Sequence, residues 1–163
     1  MRALITRSFL LLLLSSSLLL SACGFHLRGQ IDVPESLQRI HVKGTDVELV
    51  YDLERSLKFS NVLVVDEGDN AAILDVSNTS YLKEVVGTSS TGIASNYKMT
   101  YTVNYVVVDN LGDTLQRESV NQSRTLSYDA NNILLFEREE TFLKEEMRKE
   151  LVSFILRRMS KIQ

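Results

Sequence analysis

The sequence predicts an α/β protein, more closely an α+β sandwich in which a mixed sheet of about four strands carries two helices on one face. Three patterns predict it. From Tyr97 to Val108 apolar and polar residues alternate strictly, which is strand periodicity. From about Asn132 to Ser160 apolar residues recur at three- and four-residue spacing, which is helix periodicity. Between Gln38 and Ser60 a short alternating run leads into a second helical run, so the order is strand, helix, two or three strands, helix.

The chain opens on a different logic. Arg2 and Arg7 form a short basic region, and Phe9 to Leu20 (FLLLLLSSSLLL) is an apolar run of twelve residues. As a helix this run spans roughly 18 Å, too short for a hydrocarbon core of about 30 Å. A basic start, a short apolar run and small residues make a secretory signal peptide, residues 1–22. Leu20-Ser21-Ala22-Cys23 has the form of a bacterial lipobox: an aliphatic residue, two small ones for a narrow peptidase cleft, and a thiol. Cys23 is the only cysteine of the chain, and its thiol can take a diacylglyceryl group through a thioether. Cleavage before it frees an α-amino group for an N-palmitoyl chain. Two or three acyl chains anchor stably where one holds marginally. The expected protein is therefore tethered to a membrane at Cys23 without spanning it. Lipoproteins retained at an inner membrane usually carry Asp after the cysteine, and Gly24 stands there, so the expectation is the cell outer membrane.

The mature chain, residues 23–163, has the size of a single domain. Without Arg2 and Arg7 it holds 16 basic against 21 acidic residues, a net charge of −5. No basic tract is present, so the electrostatic footprint of nucleic-acid binding is missing. With Cys23 acylated, no disulfide can form. Pro34 is the single proline, and neither an internal repeat nor a long linker interrupts the chain.

The elements can be taken in order. Ile40 and Val42 alternate with Arg39, His41 and Lys43, a strand. Thr45-Asp46-Val47-Glu48 has the spacing of a capping box, with Thr45 as the capping residue and Glu48 answering it. Val50, Leu53 and Leu57 then share one face of a helix ending near Ser60. Val62 to Val65 is either a short strand or the packed return from that helix. In Ala72 to Val86, Leu74 and Val76 face one way, and the phase changes around Tyr81, which suggests a bulge. In the next strand Tyr97, Met99, Tyr101, Val103, Tyr105 and Val107 share a face. Asp109-Asn110-Leu111-Gly112-Asp113 is a hairpin turn.

The returning strand, Thr114 to Tyr128, is rich in Gln, Asn, Ser and Arg, so it belongs at a sheet edge or against a wet partner. In the last helix Leu143, Met147, Leu151, Ile155, Met159 and Ile162 make the core stripe, with Phe154 beside it. Glu140 to Lys144 and Glu145 to Lys149 are favourable pairs four residues apart. Glu137, Glu139 and Glu140 near the start, and Arg157, Arg158 and Lys161 at the end, suit the helix dipole.

Catalytic chemistry is not encoded. Two histidines, His26 and His41, with no second thiol, form no nucleophile–base pair and no thiolate metal site. Both are expected to be solvated surface residues. Val86 to Gly92 (VGTSSTG) matches neither GxGxxG nor a Walker loop and reads as a flexible connection. An enzyme, a cofactor and a metal are not expected.

Cys23-Gly24-Phe25-His26-Leu27-Arg28-Gly29, followed by Val33-Pro34 and the strand at Ile40, resembles the start of the LPS-assembly lipoprotein family, LptE (also called RlpB). The strand Tyr97-Lys98-Met99-Thr100-Tyr101-Thr102-Val103-Asn104 and the order of elements are similar as well. The resemblance implies an α/β domain seated in the lumen of the outer-membrane β-barrel LptD. There it acts as a plug, assists barrel assembly and helps deliver lipopolysaccharide to the cell surface.

The family's contacts to lipopolysaccharide are attributed to basic residues in the mid-sheet loop and before the last helix. Here Val85 to Asn96 and Ala130 to Glu137 contain neither Lys nor Arg, so those contacts are not carried over. Lys83, Lys98, Arg124 and Arg138 are the substitute candidates, and Ser90, Gln116 and Asn121 the candidate contacts to the barrel. The alternative function is a free, periplasm-facing lipid-binding carrier, which would need a large apolar cavity.

Overall fold

A computed structural model describes residues 32–67 and 70–162. The signal-peptide run, the lipobox with Cys23, and His26 lie outside the described residues.

One mixed five-stranded sheet organises the domain, in the order β2-β1-β3-β4-β5. A single 3₁₀ turn, Glu35–Leu37, leads into β1 (Arg39–Lys43). Helix α1 (Val47–Phe59) then returns the chain to β2 (Leu63–Val64), which pairs parallel to β1 at the sheet edge. The return is tight: Asn61 takes a left-handed φ of 60°, and the Val62 amide donates to the Leu57 carbonyl. The open expectation for Val62 to Val65 thus resolves as a fifth, two-residue strand.

A meander follows: β3 (Ala72–Thr88), parallel to β1, then β4 (Ala94–Val108) and β5 (Thr114–Ser127), both antiparallel. Helix α2 (Ile133–Met159) closes the domain. The two helices pack on one face of the sheet, as the order of elements predicts, and run alongside each other toward the end where the chain enters at Pro34. Arg148 of α2 reaches Asp52 of α1 (2.7 Å) and Glu48, which fixes that alignment.

A single core forms between sheet and helices. Ile40, Val42, Leu74, Val76 and the predicted face of β4, Met99 to Val107, meet Leu53 and Leu57 of α1 and Met147, Leu151, Ile155 and Met159 of α2. The phase change in β3 is real. Asp75 pairs with Val106 but Asn78 with Asn104, so Val76 and Ser77 oppose Tyr105 alone. This bulge lets Val76 before it and Tyr81 after it both face the helices.

Three local expectations are corrected. The α1 cap is Asp46, not Thr45: Asp46 Oδ1 accepts from the Leu49 amide (3.1 Å), while the Thr45 hydroxyl donates to the Ser77 carbonyl (3.1 Å). The shift has a physical reason, because the second Asp46 oxygen accepts the phenol proton of Tyr101 in the sheet below. Leu49, rather than Val50, becomes the buried residue of the first turn, and Glu48 is released to pair with Arg148.

In α2, Glu140 does not pair with Lys144. It accepts from Lys83 (2.8 Å) and Tyr81 (3.3 Å) across the sheet, whereas Glu145 does pair with Lys149 (2.6 Å). The first turn of α2 carries no acidic residue, so only the last turn, with Arg157 and Arg158, follows the dipole expectation.

Candidate partner-binding surface

Among the described residues, none packs over the sheet face away from the helices. Alternation places Thr100, Thr102 and Asn104 of β4 on it, beside Ser119, Asn121, Ser123 and Thr125 of β5 and Asn78, Ser80 and Leu82 of β3. Thr100 and Ser123 share a hydrogen bond across the strands (3.0 Å), and Asn104 donates to the Asn78 carbonyl (3.3 Å). Such hydroxyl and amide groups keep spare donors and acceptors pointed outward. At the end where the chain enters, the face hollows into a groove of about 410 Å³ lined by His41, Lys43, Asp75, Ile73, Val106 and Arg117 among others. His41 is half-buried, with Nδ1 3.0 Å from the Val65 carbonyl, and is not the solvated residue expected from sequence.

β5 is the outer strand, as its polar composition predicts, and its free edge runs for 14 residues. A long edge is a template for pairing with another chain unless it is covered or charged.

On the helix side a charged and aromatic seam joins α2 to the sheet. The Lys83 ammonium sits 5.7 Å from the Tyr97 ring centre and 5.4 Å from that of Phe136, and Phe136 packs against Tyr97 and Tyr128 at 5.4 and 5.1 Å. Lys144 stands 5.3 Å from the Tyr81 ring. Burial and the neighbouring Glu140 push the Tyr81 phenol up to about 12. Burial works against the Asp46 carboxylate, but hydrogen bonds from Tyr101 and the Leu49 amide, with Lys144 and Arg148 nearby, hold its pKa below the usual value. A second groove of about 400 Å³ lies here, lined by Glu48, Glu137, Glu140, Glu145, Lys144 and Arg148 with Tyr81 and Thr141.

The sequence-derived candidates divide between these surfaces rather than forming one site. Lys83 lies on the helix side, bound to Glu140, and Arg124 likewise pairs with Glu150 (2.6 Å). Lys98 is exposed on the bare face, in register with Glu84 and Thr125. Arg138 is exposed on the second turn of α2. Asn121 lies exposed on the bare face and Ser90 in the turn between β3 and β4. Gln116 lies on the helix side, where its amide donates to Glu118 (3.0 Å) and its carbonyl oxygen is buried without a partner. Sequence reasoning missed Tyr81, Glu140 and Arg148, whose roles depend on cross-element pairing that no local spacing encodes.

Among the described residues no helix is long and apolar enough to cross a membrane, and no group of three His, Cys, Asp or Glu could hold a metal ion. Fold and surface together define a small α+β domain in which the helices cover one sheet face and none of the described residues covers the other. Comparison with known proteins gives the particular kind: the chain belongs to the LptE, lipopolysaccharide-assembly, family, whose model matches residues 34–159. The LPS-assembly lipoprotein LptE of Pectobacterium atrosepticum is 28% identical over 157 residues, covering 94% of this chain and 85% of that one. Its namesake in Yersinia pestis is 29% identical over 155 residues, covering 92% and 74%. Among solved structures, an uncharacterized lipoprotein B from Nitrosomonas europaea superposes with a TM-score of 0.70 at 25% identity, covering 84% of this chain and 90% of that one. The rare lipoprotein B from Shewanella oneidensis gives 0.66 at 24% identity, covering 74% and 92%, and shares the fold.

Proposed function

We propose that this protein is an outer-membrane lipoprotein, tethered at Cys23, that complexes with and plugs the β-barrel LptD. In that place it assists barrel assembly and the delivery of lipopolysaccharide to the outer leaflet. Family membership supports the lipopolysaccharide-assembly role, and the relatives' names carry the word lipoprotein. The observation that carries the plug is the bare face: a wide hydroxyl- and amide-rich surface ending in a free 14-residue edge. A water-filled barrel lumen is polar. It would cover that edge while leaving Thr102, Asn121 and their neighbours hydrated.

A free lipid carrier is the alternative reading, and it fits poorly, because the groove beside α2 is lined largely by charged side chains and the one on the sheet face sets Lys43, Glu67, Asp75 and Arg117 among Ile73, Val106 and Val108. For lipopolysaccharide, Lys98 and Arg138 are exposed candidates outside the ion pairs of the described residues, while exposed Lys83 and half-buried Arg124 already serve carboxylates within the domain.

Photocrosslinkers in cells test the plug. At Asn121 and Ser90 they should capture one large outer-membrane protein. At half-buried Gln116 the yield should be lower, and at Glu146, exposed on α2, it should be weak. No capture from Asn121 and Ser90 in a correctly localised protein would remove the plug. The anchor has its own test: Cys23→Ser should leave an unprocessed, unlipidated precursor, and efficient maturation of that variant would refute it.

A further inference from the structure

Helix α2 changes character halfway along. From Met147 to Met159 it buries Met147, Leu151, Val152, Ile155, Leu156 and Met159, so every turn adds to the core. From Ile133 to Glu146, Phe136 is the one buried side chain among the described residues, with Leu143 half-buried one stretch on. The other large apolar residues of this half, Ile133, Leu134, Leu135 and Phe142, are exposed.

A few ring and polar contacts fasten the first half to the sheet. Phe136 packs on Tyr97 and Tyr128 (5.4 and 5.1 Å between ring centres), and Glu140 accepts from Lys83 (2.8 Å) and Tyr81 (3.3 Å). The Lys83 ammonium also lies 5.4 Å from the centre of the Phe136 ring, so one lysine serves both fastenings. Lys83 is exposed, and an exposed ion pair holds weakly because water and salt screen it.

Local chemistry does not make up the difference. Asn132, the cap residue, directs its side-chain amide to Asp129 (2.7 Å) and caps no helical N–H. No acidic residue answers the helix dipole in the first turn. Glu137 and Glu140 are like charges three residues apart. The Thr141 hydroxyl donates back to the Glu137 carbonyl (2.9 Å), a bond that weakens a helix slightly. Freed from the sheet, so short a segment does not stay helical in water. The change comes abruptly at Met147, which is fully buried, and at Arg148, which bonds Asp52 of α1 (2.7 Å).

We propose that Ile133 to Glu146 is a strap that opens as one unit while the rest of α2 stays packed. Lys83 and Phe136 are its fastening, and Met147 with Arg148 is its fixed end. Opening unwinds the strap and uncovers Tyr81, Tyr97 and Tyr128, together with the groove of about 400 Å³ that Glu137, Glu140 and Thr141 help to line. The domain thereby gains a far end that changes shape while its core stays intact. The inference involves no partner and stands apart from the plug reading.

The test uses the mature polypeptide, Cys23 to Gln163 with Cys23→Ser, which keeps every buried core side chain from Leu37 to Met159. Native-state amide exchange is followed along α2 at low, non-denaturing urea concentrations. The expected profile is a step. Amides of Glu137 to Leu143 share one low protection that urea barely changes, and those of Leu151 to Leu156 share a high one that falls steeply with urea. Lys83→Met should speed exchange at Glu137 to Leu143 by roughly three- to ten-fold, the scale of one exposed ion pair with its ring contact. Ile155→Val should speed exchange at Leu151 to Leu156 by roughly two- to ten-fold and leave the strap unchanged, because Ile155 stays packed when the strap opens.

Protection that climbs gradually from the first turn would mean end fraying, and equal protection throughout would mean a single helix; either overturns the proposal. So would strap amides that follow Ile155→Val as closely as the second half does, or that ignore Lys83→Met. Neither the barrel nor lipidation is present in this assay. Its failure is therefore separable from a failure of the Asn121 crosslinks or of Cys23 processing.

Discussion

Asp46 does three things at once. It caps α1 through the Leu49 amide, accepts the Tyr101 phenol from the middle of the sheet, and lies within the field of Lys144 and Arg148. Asp46→Ala should therefore cost about 1–2 kcal/mol in urea unfolding, the range for a lost cap. Thr45→Ala should stay within about 0.5 kcal/mol, because its hydroxyl bond lies at the surface. The carboxylate also sets a pH dependence. Its folded pKa lies below the ordinary 3.8, so its contribution is complete above that value and is lost as pH falls through the folded pKa. The stability gap between wild type and Asp46→Asn should narrow in acid below about pH 4. Local spacing pointed to Thr45 as the cap. What selects Asp46 is a tyrosine 55 residues away, which no local pattern contains.

At the scale of elements, periodicity was informative wherever one face is buried along the whole length. Strand β4 from Met99 to Val107 and helix α2 from Met147 to Met159 appear as read, since each turns one face to the core along those stretches. The prediction for α2 follows: Leu151→Ala should destabilise by about 2–5 kcal/mol, because Leu151 is fully buried. Glu146→Ala, on the exposed side, should change the urea midpoint by an amount corresponding to less than about 0.5 kcal/mol. Strand β5 was legible for the opposite reason: its polar residues excluded burial on both faces, which left a sheet edge or a wet partner, and it is the edge strand. β2 was not legible, because two residues carry no period and the strand exists only through its pairing with Arg39 and Ile40. The Glu140 contact was misread because the i,i+4 rule weighs only neighbours on the helix, whereas Lys83 and Tyr81 approach from the sheet.

Across the whole molecule the cover on the sheet is uneven. Among the described residues, both helices press on the half near β1, while the far half of the β3–β4 hairpin has only the first turns of α2, held by Phe136 on Tyr97 and Tyr128. Amide exchange should follow this division, with protection at Val42, Leu74, Val103 and Leu151 exceeding that at Val85, Asn96 and Leu126. Uniform protection would mean that the seam around Lys83 binds the far half as tightly as the core does. The bulge at Val76 and Ser77 gives the two halves a further relation, comparable to a frame in translation. Upstream of it, even-numbered residues of β3 face the helices, and from Thr79 to Val85 the odd-numbered ones do, until the register shifts again at the hairpin tip. Losing Ser77 would merely straighten the strand and keep Tyr81 and Lys83 in place. Losing Ser80, three residues on, would turn the stretch before it inside out or the stretch after it. Over evolutionary time, one-residue length changes in this strand should therefore accumulate at the bulge and at the hairpin tip, and be purged between them.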